Sequence, residues 1–315
     1  MVGNREKMTM KAKNELLSSY TSSGVKVRES AGYIVFKFIN TVIMILVCIA
    51  TLYPFLYLVA QSFSSEQAIM QGKVGIIPVE FNFSTYVSVL AKGDFLMSYK
   101  NTLIYSVLGT VLAIVLSSCI AYPLSRKNLK GGKIILKLII FTMYFGGGLI
   151  PNYILMQRMH LINKVAGFLI PSLLSTYYII LMKSFFEGTP HELEEAAEID
   201  GLSPIGVFIR IVFPLSMPII ATMILFNAVG YWNNWYSAFL YLDKKEMWPV
   251  AYYLRTIITG ASTSADPGEV NAEKMQIAAN IKSCSMVLMA LPIICVYPFI
   301  QKYYVQGMML GGVKE

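Results

Sequence analysis

The sequence contains little charge for its length. Lys, Arg, Asp and Glu together make up 14% of its 315 residues, whereas hydrophobic residues make up 56%. Soluble domains are about 25% charged, so this composition is not that of an ordinary soluble protein. The apolar residues also form long blocks, and about 20 apolar residues suffice for a helix that crosses a bilayer. We therefore predict an all-α polytopic membrane protein.

The sequence is also poor in the residues that form metal, disulfide and catalytic sites. Its four cysteines lie in apolar stretches without C-x-x-C spacing, and its two histidines, His160 and His191, lie near segment ends. No G-x-x-x-x-G-K-[ST] loop is present to cradle a nucleotide's phosphates. We therefore expect no catalytic site, no metal site and no cofactor in this chain.

The basic residues are placed at the ends of apolar blocks. A net charge of +8 could indicate a nucleic-acid partner, but the bases form no patch with interleaved aromatic residues. Arg126–Lys137 carries five bases and no acid, which is typical of a cytoplasmic loop. We therefore predict that these charges orient the protein in membrane lipid and that it binds no nucleic acid.

Six apolar blocks are each long enough for one tilted transmembrane helix. Residues 1–32 are predicted to be a flexible, basic cytoplasmic tail, because the first block is about twice the length of a signal-peptide core. Residues 33–306 form the predicted transmembrane domain, and an even number of spans places the tail at 307–315 in the cytoplasm as well. The predicted spans are 34–63, 101–124, 134–156, 165–182, 215–236 and 284–304.

Two longer connections, 64–100 and 242–283, are predicted to face outward. Either could be a docking surface for an external protein, or both could be ordered connectors, and the sequence leaves these alternatives open. Within the second connection, the small polar residues of Thr259–Gly268 predict a loop. Gly146–Gly148 lies inside an apolar block and indicates a bend or a close helix contact.

The stretch Thr189–Pro214 is predicted to form two short helices that are too short to cross the membrane. Thr189 can cap a helix that begins at Pro190, with Glu192 completing a capping box. Gly201 can adopt the left-handed conformation that ends a helix.

A second helix start follows at Ser203–Pro204, and Pro214 is predicted to end that helix. Its apolar residues recur at helical spacing and predict one packing face. These residues are Ile205, Phe208, Ile209 and Val212.

The same stretch carries a motif. Glu195-Ala196-Ala197, Gly201, Ile211 and Pro214 match the spacing E-A-A-x3-G-x9-I-x-L-P, with Phe213 in place of Leu and Asp200 before the glycine. In this the sequence resembles the permease subunits of bacterial ABC importers. Further similarity to the carbohydrate branch, and to its oligosaccharide and aldouronate systems, is carried by Pro78, Phe81, Tyr86, Asn101–Leu103, Phe145–Tyr153, Trp232–Asn233 and Gly307–Lys314.

The resemblance implies a type I importer permease fold of about six transmembrane helices in a bacterial inner or plasma membrane. It also implies a second permease that completes a heterodimer, an extracellular binding protein that delivers a sugar, and two cytoplasmic ATPase subunits that use ATP and Mg. The motif would be the coupling loop that docks on an ATPase, and the C-terminal tail would extend toward the ATPases. The implied coupling residues are Glu195, Ala196, Ala197, Asp200, Gly201, Ile211 and Pro214.

One span is rich in amides and aromatic rings, the groups that bind sugars. Asn227, Tyr231, Trp232, Asn233 and Asn234 are therefore predicted to line the substrate path. Trp235 and Tyr236 continue the same run of amides and rings and are predicted to belong to this lining, with Tyr144, Asn152, Tyr153, Tyr177 and Tyr178 as further candidates. Alternatively, the aromatic residues are interfacial anchors and the amides join helices.

Three classes of function remain open from the sequence. The first is an importer permease, for an oligosaccharide or for a non-sugar solute. The second is an ATP-independent carrier, which is disfavoured because the blocks at 103–124 and 215–236 contain no ionisable carrier group. The third is a membrane scaffold.

Overall fold

The computed structural model describes residues 31–91, 93–263 and 280–298, and every regular element in these ranges is helical, which confirms the predicted all-α class. The predicted C-terminal tail and residues 1–30 of the N-terminal tail lie outside these ranges. The helices in chain order are α1 (Ala31–Ser62), α2 (Glu66–Met70), α3 (Ser84–Leu90), α4 (Gly93–Ser125), α5 (Gly132–Tyr144), α6 (Leu149–Arg158), α7 (Val165–Leu169), α8 (Thr176–Glu187), α9 (His191–Ile199), α10 (Pro204–Val207), α11 (Phe213–Leu215), α12 (Met217–Trp232), α13 (Tyr236–Tyr241), α14 (Val250–Thr263) and α15 (Asn280–Pro298).

The described part of the chain divides into two compact units, with the division after Phe55. In the first unit, residues 31–55 form most of α1, an uninterrupted apolar helix. Its hydroxyl groups are satisfied within the helix: the Thr41 Oγ1 donates to the Lys37 carbonyl, and the Thr51 Oγ1 donates to the Val47 carbonyl, each at 2.8 Å. Such internal bonding suits a helix in lipid, where water cannot satisfy a polar group.

In the second unit, helix α4 is the central element, and it packs against α12 on one side and α8 on another. Its buried face consists largely of small residues, which allow neighbouring helices to approach closely. That face includes Ser98, Thr102, Ser106, Gly109, Thr110, Ala113, Ser117, Ala121 and Ser125. A Cβ atom added at Gly109 would lie 2.5 Å from the Tyr231 ring, so this position needs glycine.

Two of the six predicted spans are broken helices rather than single tilted ones: the pair α5–α6 bends by 113° and the pair α7–α8 bends by 56°. A third bend, of 81°, lies between the second short helix of the stretch 189–214 and α12, at the start of the fifth predicted span. At the first break, Gly148 has φ +81°, and an added Cβ at Gly146 or Gly148 would meet nothing within 4 Å. The predicted bend at this triple glycine is therefore confirmed, whereas the predicted close helix contact stays a prediction, because among the described residues nothing packs on Gly146 or Gly148.

The two connections that are predicted to face outward contain more helix than the sequence indicated. Helix α4 begins at Gly93, eight residues before the predicted start, and α14 continues to Thr263, so the predicted loop at Thr259–Gly268 is wrong over its first half. Residues 64–91 are ordered by a stack of rings in which the Phe63 and Tyr86 centroids lie 4.8 Å apart. The connection from α13 to α14 is fixed to α4, because the Thr102 Oγ1 accepts from the Val250 amide at 2.7 Å.

Candidate docking surface and transport path

The first short helix of the motif stretch, α9, begins one residue later than predicted. Its N-cap is Pro190, which is extended (φ −56°, ψ 126°), and no side chain caps the helix. The predicted capping box of Thr189 and Glu192 is therefore wrong, because the proline holds the chain extended between Thr189 and the first helical residue. Glu192 and Glu194 still occupy the first turn, where negative charge favours the helix dipole.

The end of α9 is a Schellman turn, and here the prediction is confirmed. Gly201 has φ +86°, the left-handed conformation that side chains disfavour. The Leu202 amide donates to the Ala197 carbonyl and the Gly201 amide donates to the Glu198 carbonyl, both at 3.0 Å. These two bonds satisfy carbonyls that would otherwise have no partner at the helix end.

The second short helix also begins as predicted. The Ser203 Oγ accepts a hydrogen bond from the Gly206 amide at 3.2 Å, with Pro204 in the first turn. The helix widens to a π-helix at Phe208–Val212 immediately before Pro214, whose nitrogen cannot donate. The helix then ends at Leu215, and the chain bends by 81° into α12.

The loop is continuous with the core of the helices that carry it. Ala197, Val207 and Val212 belong to the same buried cluster as Met182 of α8 and Met223 of α12. Ile211, one of the motif residues, is half-buried against this cluster, whereas Asp200 and Pro214 are exposed. The inner side of α9 therefore packs directly on the helices that carry the loop.

The outer side of the loop exposes both apolar and charged side chains. Ile199 is 86% exposed and Ile205 is 72% exposed. Glu198, Asp200 and Arg210 are exposed as well. Ala196 and Glu195 are exposed beside them on α9. We name this surface, formed by Glu195, Ala196, Ile199, Ile205 and Ile209, the docking surface.

The predicted apolar face of the second helix is divided between two environments. Phe208 and Val212 pack inward, with the Phe208 ring centroid 4.7 Å from that of Tyr122. Ile205 and Ile209 point outward. The single packing face predicted from the spacing is therefore wrong, because the π-helix changes the register between these pairs.

Arg126, directly after α4, holds α9 in place, and sequence reasoning missed this role. Its Nη1 lies 2.6 Å from the Glu194 Oε1, its Nη2 donates to the Phe186 carbonyl of α8 at 3.2 Å, and its guanidinium carbon lies 4.8 Å from the centre of the Tyr122 ring. The contact with Oε1 does not have hydrogen-bond geometry, so charge attraction holds it. The Arg126 side chain thus joins the ends of α4 and α8 to α9. In the sequence, the only indication of this pair was an arginine beside a span and an acid beside the motif.

Glu194 differs from the other acids of α9 in its burial. Its side chain is 4% exposed, whereas that of Glu195 is 65% exposed. Burial raises the pKa of the Glu194 carboxyl above its ordinary value, and the opposing effects of Arg126, His191 and a hydrogen bond from Tyr122 only partly offset this. A carboxylate in such surroundings needs its counter-ion, so Glu194 is a residue that fixes α9 from within.

The five predicted path residues occupy different surroundings. Tyr231 and Trp232 are buried: the Tyr231 hydroxyl donates to the Leu169 carbonyl at 3.2 Å, and the Trp232 Nε1 donates to the Met289 carbonyl at 3.0 Å. Asn227 is also buried, and its amide donates to the carbonyl one turn back, at Met223. These three side chains use their polar groups inside the protein.

Asn233 and Asn234 lie at the break between α12 and α13. Asn233 is exposed, and its amide donates to the Val229 carbonyl at 3.0 Å. Asn234 caps α13, because its Oδ1 accepts from the Ser237 amide at 3.0 Å. The break therefore presents one exposed amide next to a structural one.

The further path candidates lie elsewhere in the second unit. Tyr144 and Tyr177 are exposed, at 75% and 54%, while Tyr153 stacks on Tyr241 with ring centroids 6.3 Å apart. Tyr178 packs on Phe226, and Asn152 is exposed. A cavity of about 420 Å³ between α4 and α12 is lined mainly by aliphatic side chains, which does not suit a sugar.

The fold and the docking surface define a helical integral membrane protein with a short-helix loop attached to the core of its spans. The chain belongs to the binding-protein-dependent transport system inner membrane component family, which matches residues 113–310. Members of this family are transport permeases. The resemblance predicted from the E-A-A loop is thereby confirmed.

Individual relatives are similar over most of the chain. Protein LplC of Bacillus subtilis is 38% identical over 84% of this chain and 90% of its own length. The polygalacturonan/rhamnogalacturonan transport system permease protein YtcP of the same organism is 35% identical over 85% of this chain and 93% of its own length. A solved bacterial ABC transporter involved in the import of the acidic polysaccharide alginate contains a chain that is 31% identical, with a TM-score of 0.80 over 88% of this chain and 99% of that chain.

Proposed function

We propose that this chain is one of two permeases in an ATP-driven importer for an oligosaccharide, which an extracellular binding protein delivers. The observation that carries the proposal is the docking surface: an apolar and acidic surface on a loop whose inner side is part of the core of the spans. Such a surface can receive a movement from a partner and transmit it. The chain itself would then need no nucleotide site, since separate subunits would bind ATP and Mg.

The proposed partner at the docking surface is an ATPase subunit. Ala196 leaves little side-chain bulk on the outer face of α9, so a partner can approach closely, and Ile199 and Ile205 offer apolar area. Glu195 provides a charge that basic residues of the partner can meet. Gly201 would be the hinge between the two short helices, supported by its positive φ.

The proposed orientation places the docking surface in the cytoplasm together with both termini. The bases of Arg126–Lys137 follow α4 directly and support this arrangement through the positive-inside rule. Arg126 also contacts Glu194 of α9, so the basic connection and the docking surface lie at the same end of the helices. The connection from α13 to α14 then faces outward, toward the binding protein.

The solute is proposed to be an oligosaccharide because one relative is named for polygalacturonan/rhamnogalacturonan transport and the solved transporter is involved in the import of alginate. Of the five predicted path residues, we propose that Asn233 and Asn234 line the substrate path. Asn233 is exposed at a break in the helix, which is how membrane proteins expose polar groups to a path. Asn227, Tyr231 and Trp232 would support the path from behind.

The proposal is tested by reconstituting this chain with its co-encoded second permease, ATPases and binding protein in vesicles. Uptake of a labelled oligosaccharide should require ATP and every subunit, and Glu195→Lys should lower the amount of ATPase that co-purifies. Glu187→Gln is the matched control, because Glu187 lies before the motif and pairs with Lys183 of its own helix. ATP-independent uptake by this chain alone would instead show a carrier, and ATPase binding without any uptake would show a scaffold.

A further inference from the structure

Outside the docking surface, the structure contains an arginine stacked on a tryptophan. The guanidinium carbon of Arg255, a residue of α14, lies 3.6 Å from the centre of the Trp235 ring. Trp235 is the residue directly before α13. Arg255 is exposed, and no carboxylate in the described ranges lies within ion-pair distance of it. The positive charge is therefore fixed in position without a counter-ion from those residues.

The stack is held by the surrounding fold. Tyr252, one turn before Arg255, meets the Phe239 ring edge to face at 6.2 Å and the Trp248 ring at 4.7 Å. The chain before α14 is fixed to α4, because the Tyr105 hydroxyl donates to the Met247 carbonyl at 3.0 Å. The position of Arg255 over the indole is thus set by two helices rather than by its own side chain.

A guanidinium in this arrangement favours one kind of ligand. The guanidinium carbon lies over the indole ring while the side chain stays exposed, and a guanidinium fork matches the two oxygens of a carboxylate. Beside it, Tyr236 is 45% exposed and Phe239 is 55% exposed, which provides ring faces of the type that sugars pack against.

We propose that Arg255 and Trp235 form a subsite for the carboxylate of an acidic sugar residue at the outer end of the path. The inference rests on the proposed function and adds to it the class of solute, a uronic-acid oligosaccharide. Sequence reasoning found no basic group in the spans, because this arginine lies in α14, within the predicted outward connection 242–283, and reaches the indole only through the fold. The same chemistry could bind a lipid phosphate, so the test separates the two sources.

The experiment uses the complete importer in vesicles and a matched pair of solutes: trigalacturonate and its neutral methyl ester. In Arg255→Gln we expect initial uptake of trigalacturonate to fall about tenfold, the effect of losing a charge-assisted hydrogen bond, while uptake of the ester stays within about twofold. The uptake of trigalacturonate by Arg255→Lys should lie between the wild-type rate and that of Arg255→Gln, because lysine keeps the charge but lacks the planar guanidinium that binds both carboxylate oxygens. Lys244→Gln, which removes an exposed base from the same connection, should leave both rates unchanged.

Each other outcome contradicts a particular step. An equal loss of uptake for both solutes would show that Arg255 has a structural role. A loss of uptake that appears only when phosphatidylglycerol is added to phosphatidylcholine vesicles would show a lipid contact. Either result overturns the subsite. Unchanged trigalacturonate uptake in Arg255→Gln overturns it as well, while the proposed function stands. Failure of the wild-type importer to take up trigalacturonate, while it takes up a neutral oligosaccharide with ATP and all subunits present, would overturn the proposed class of solute and leave the proposed function standing. Failure to take up any oligosaccharide under these conditions would instead contradict the proposed function.

Discussion

The ion pair between Arg126 and Glu194 leads to a quantitative prediction about how firmly α9 is attached. The change is Glu194→Ala, which removes the carboxylate and leaves the guanidinium next to Phe186 and Tyr122 without its counter-ion. Because Glu194 is on the inner side of α9, the docking surface itself is unchanged. Any effect on the helix therefore comes from the loss of the internal contact.

The magnitude follows from the burial of the two partners. Removing one partner of a fully buried ion pair costs about 3–5 kcal/mol. The Glu194 side chain is 4% exposed but that of Arg126 is 21% exposed, so water can partly solvate the remaining charge. We therefore expect a loss of about 2–3 kcal/mol in the free energy of detaching α9, which is about a 30- to 150-fold change in that equilibrium.

Hydrogen exchange measures this equilibrium locally. Amides of α9 should exchange about 30- to 150-fold faster in Glu194→Ala, while those in the middle of α4 keep their protection. Glu192→Ala removes an exposed acid of the same first turn and is the control; it loses only the interaction with the helix dipole, so exchange in α9 should rise by less than about fivefold. The double variant Arg126→Leu/Glu194→Leu should regain most of the protection, because an apolar pair removes both charges together.

One result would refute the reasoning. If exchange in α9 is the same in Glu194→Ala as in the wild type, the ion pair does not attach the helix. Faster exchange throughout α4 and α8 would also contradict it, because that would show general unfolding rather than local detachment.

Two further variants test the hinge and the path. Gly201→Val places a β-branched side chain at φ +86°, at a cost of about 1–2 kcal/mol, and should abolish uptake while the protein stays in the membrane fraction. Gly206→Ala is the control, because its added Cβ meets only ordinary contacts. Normal uptake by Gly201→Val would exclude the hinge. Asn233→Ala should slow oligosaccharide uptake about tenfold. The amount of protein should not fall, because the Asn233 amide bonds to the Val229 carbonyl of its own helix. Asn233→Gln should restore part of the rate, and an unchanged rate in Asn233→Ala would remove this residue from the path.

The loop shows how far local rules extend. Gly201 and Ser203 are correctly predicted because a left-handed turn and a side-chain cap depend on neighbours within a few residues. The capping box at Thr189 is wrong although it follows a rule of the same kind, because Pro190 extends the chain at that point. Periodicity also fails at Ile205 and Phe208, since a π-helix changes which residues share a face.

The sequence by itself determined the class, the approximate positions of the apolar blocks and the motif, because composition, block length and fixed spacing are properties of the chain. The tertiary structure alone decided what each polar group touches. Arg126 and Glu194 are 68 positions apart, and Trp235 and Arg255 are 20 apart, so no local pattern pairs them. Likewise, tyrosine is a residue type that binds sugars, but the Tyr231 ring is buried. Because Gly109 has no side chain, α12 packs so close to α4 that this ring is enclosed.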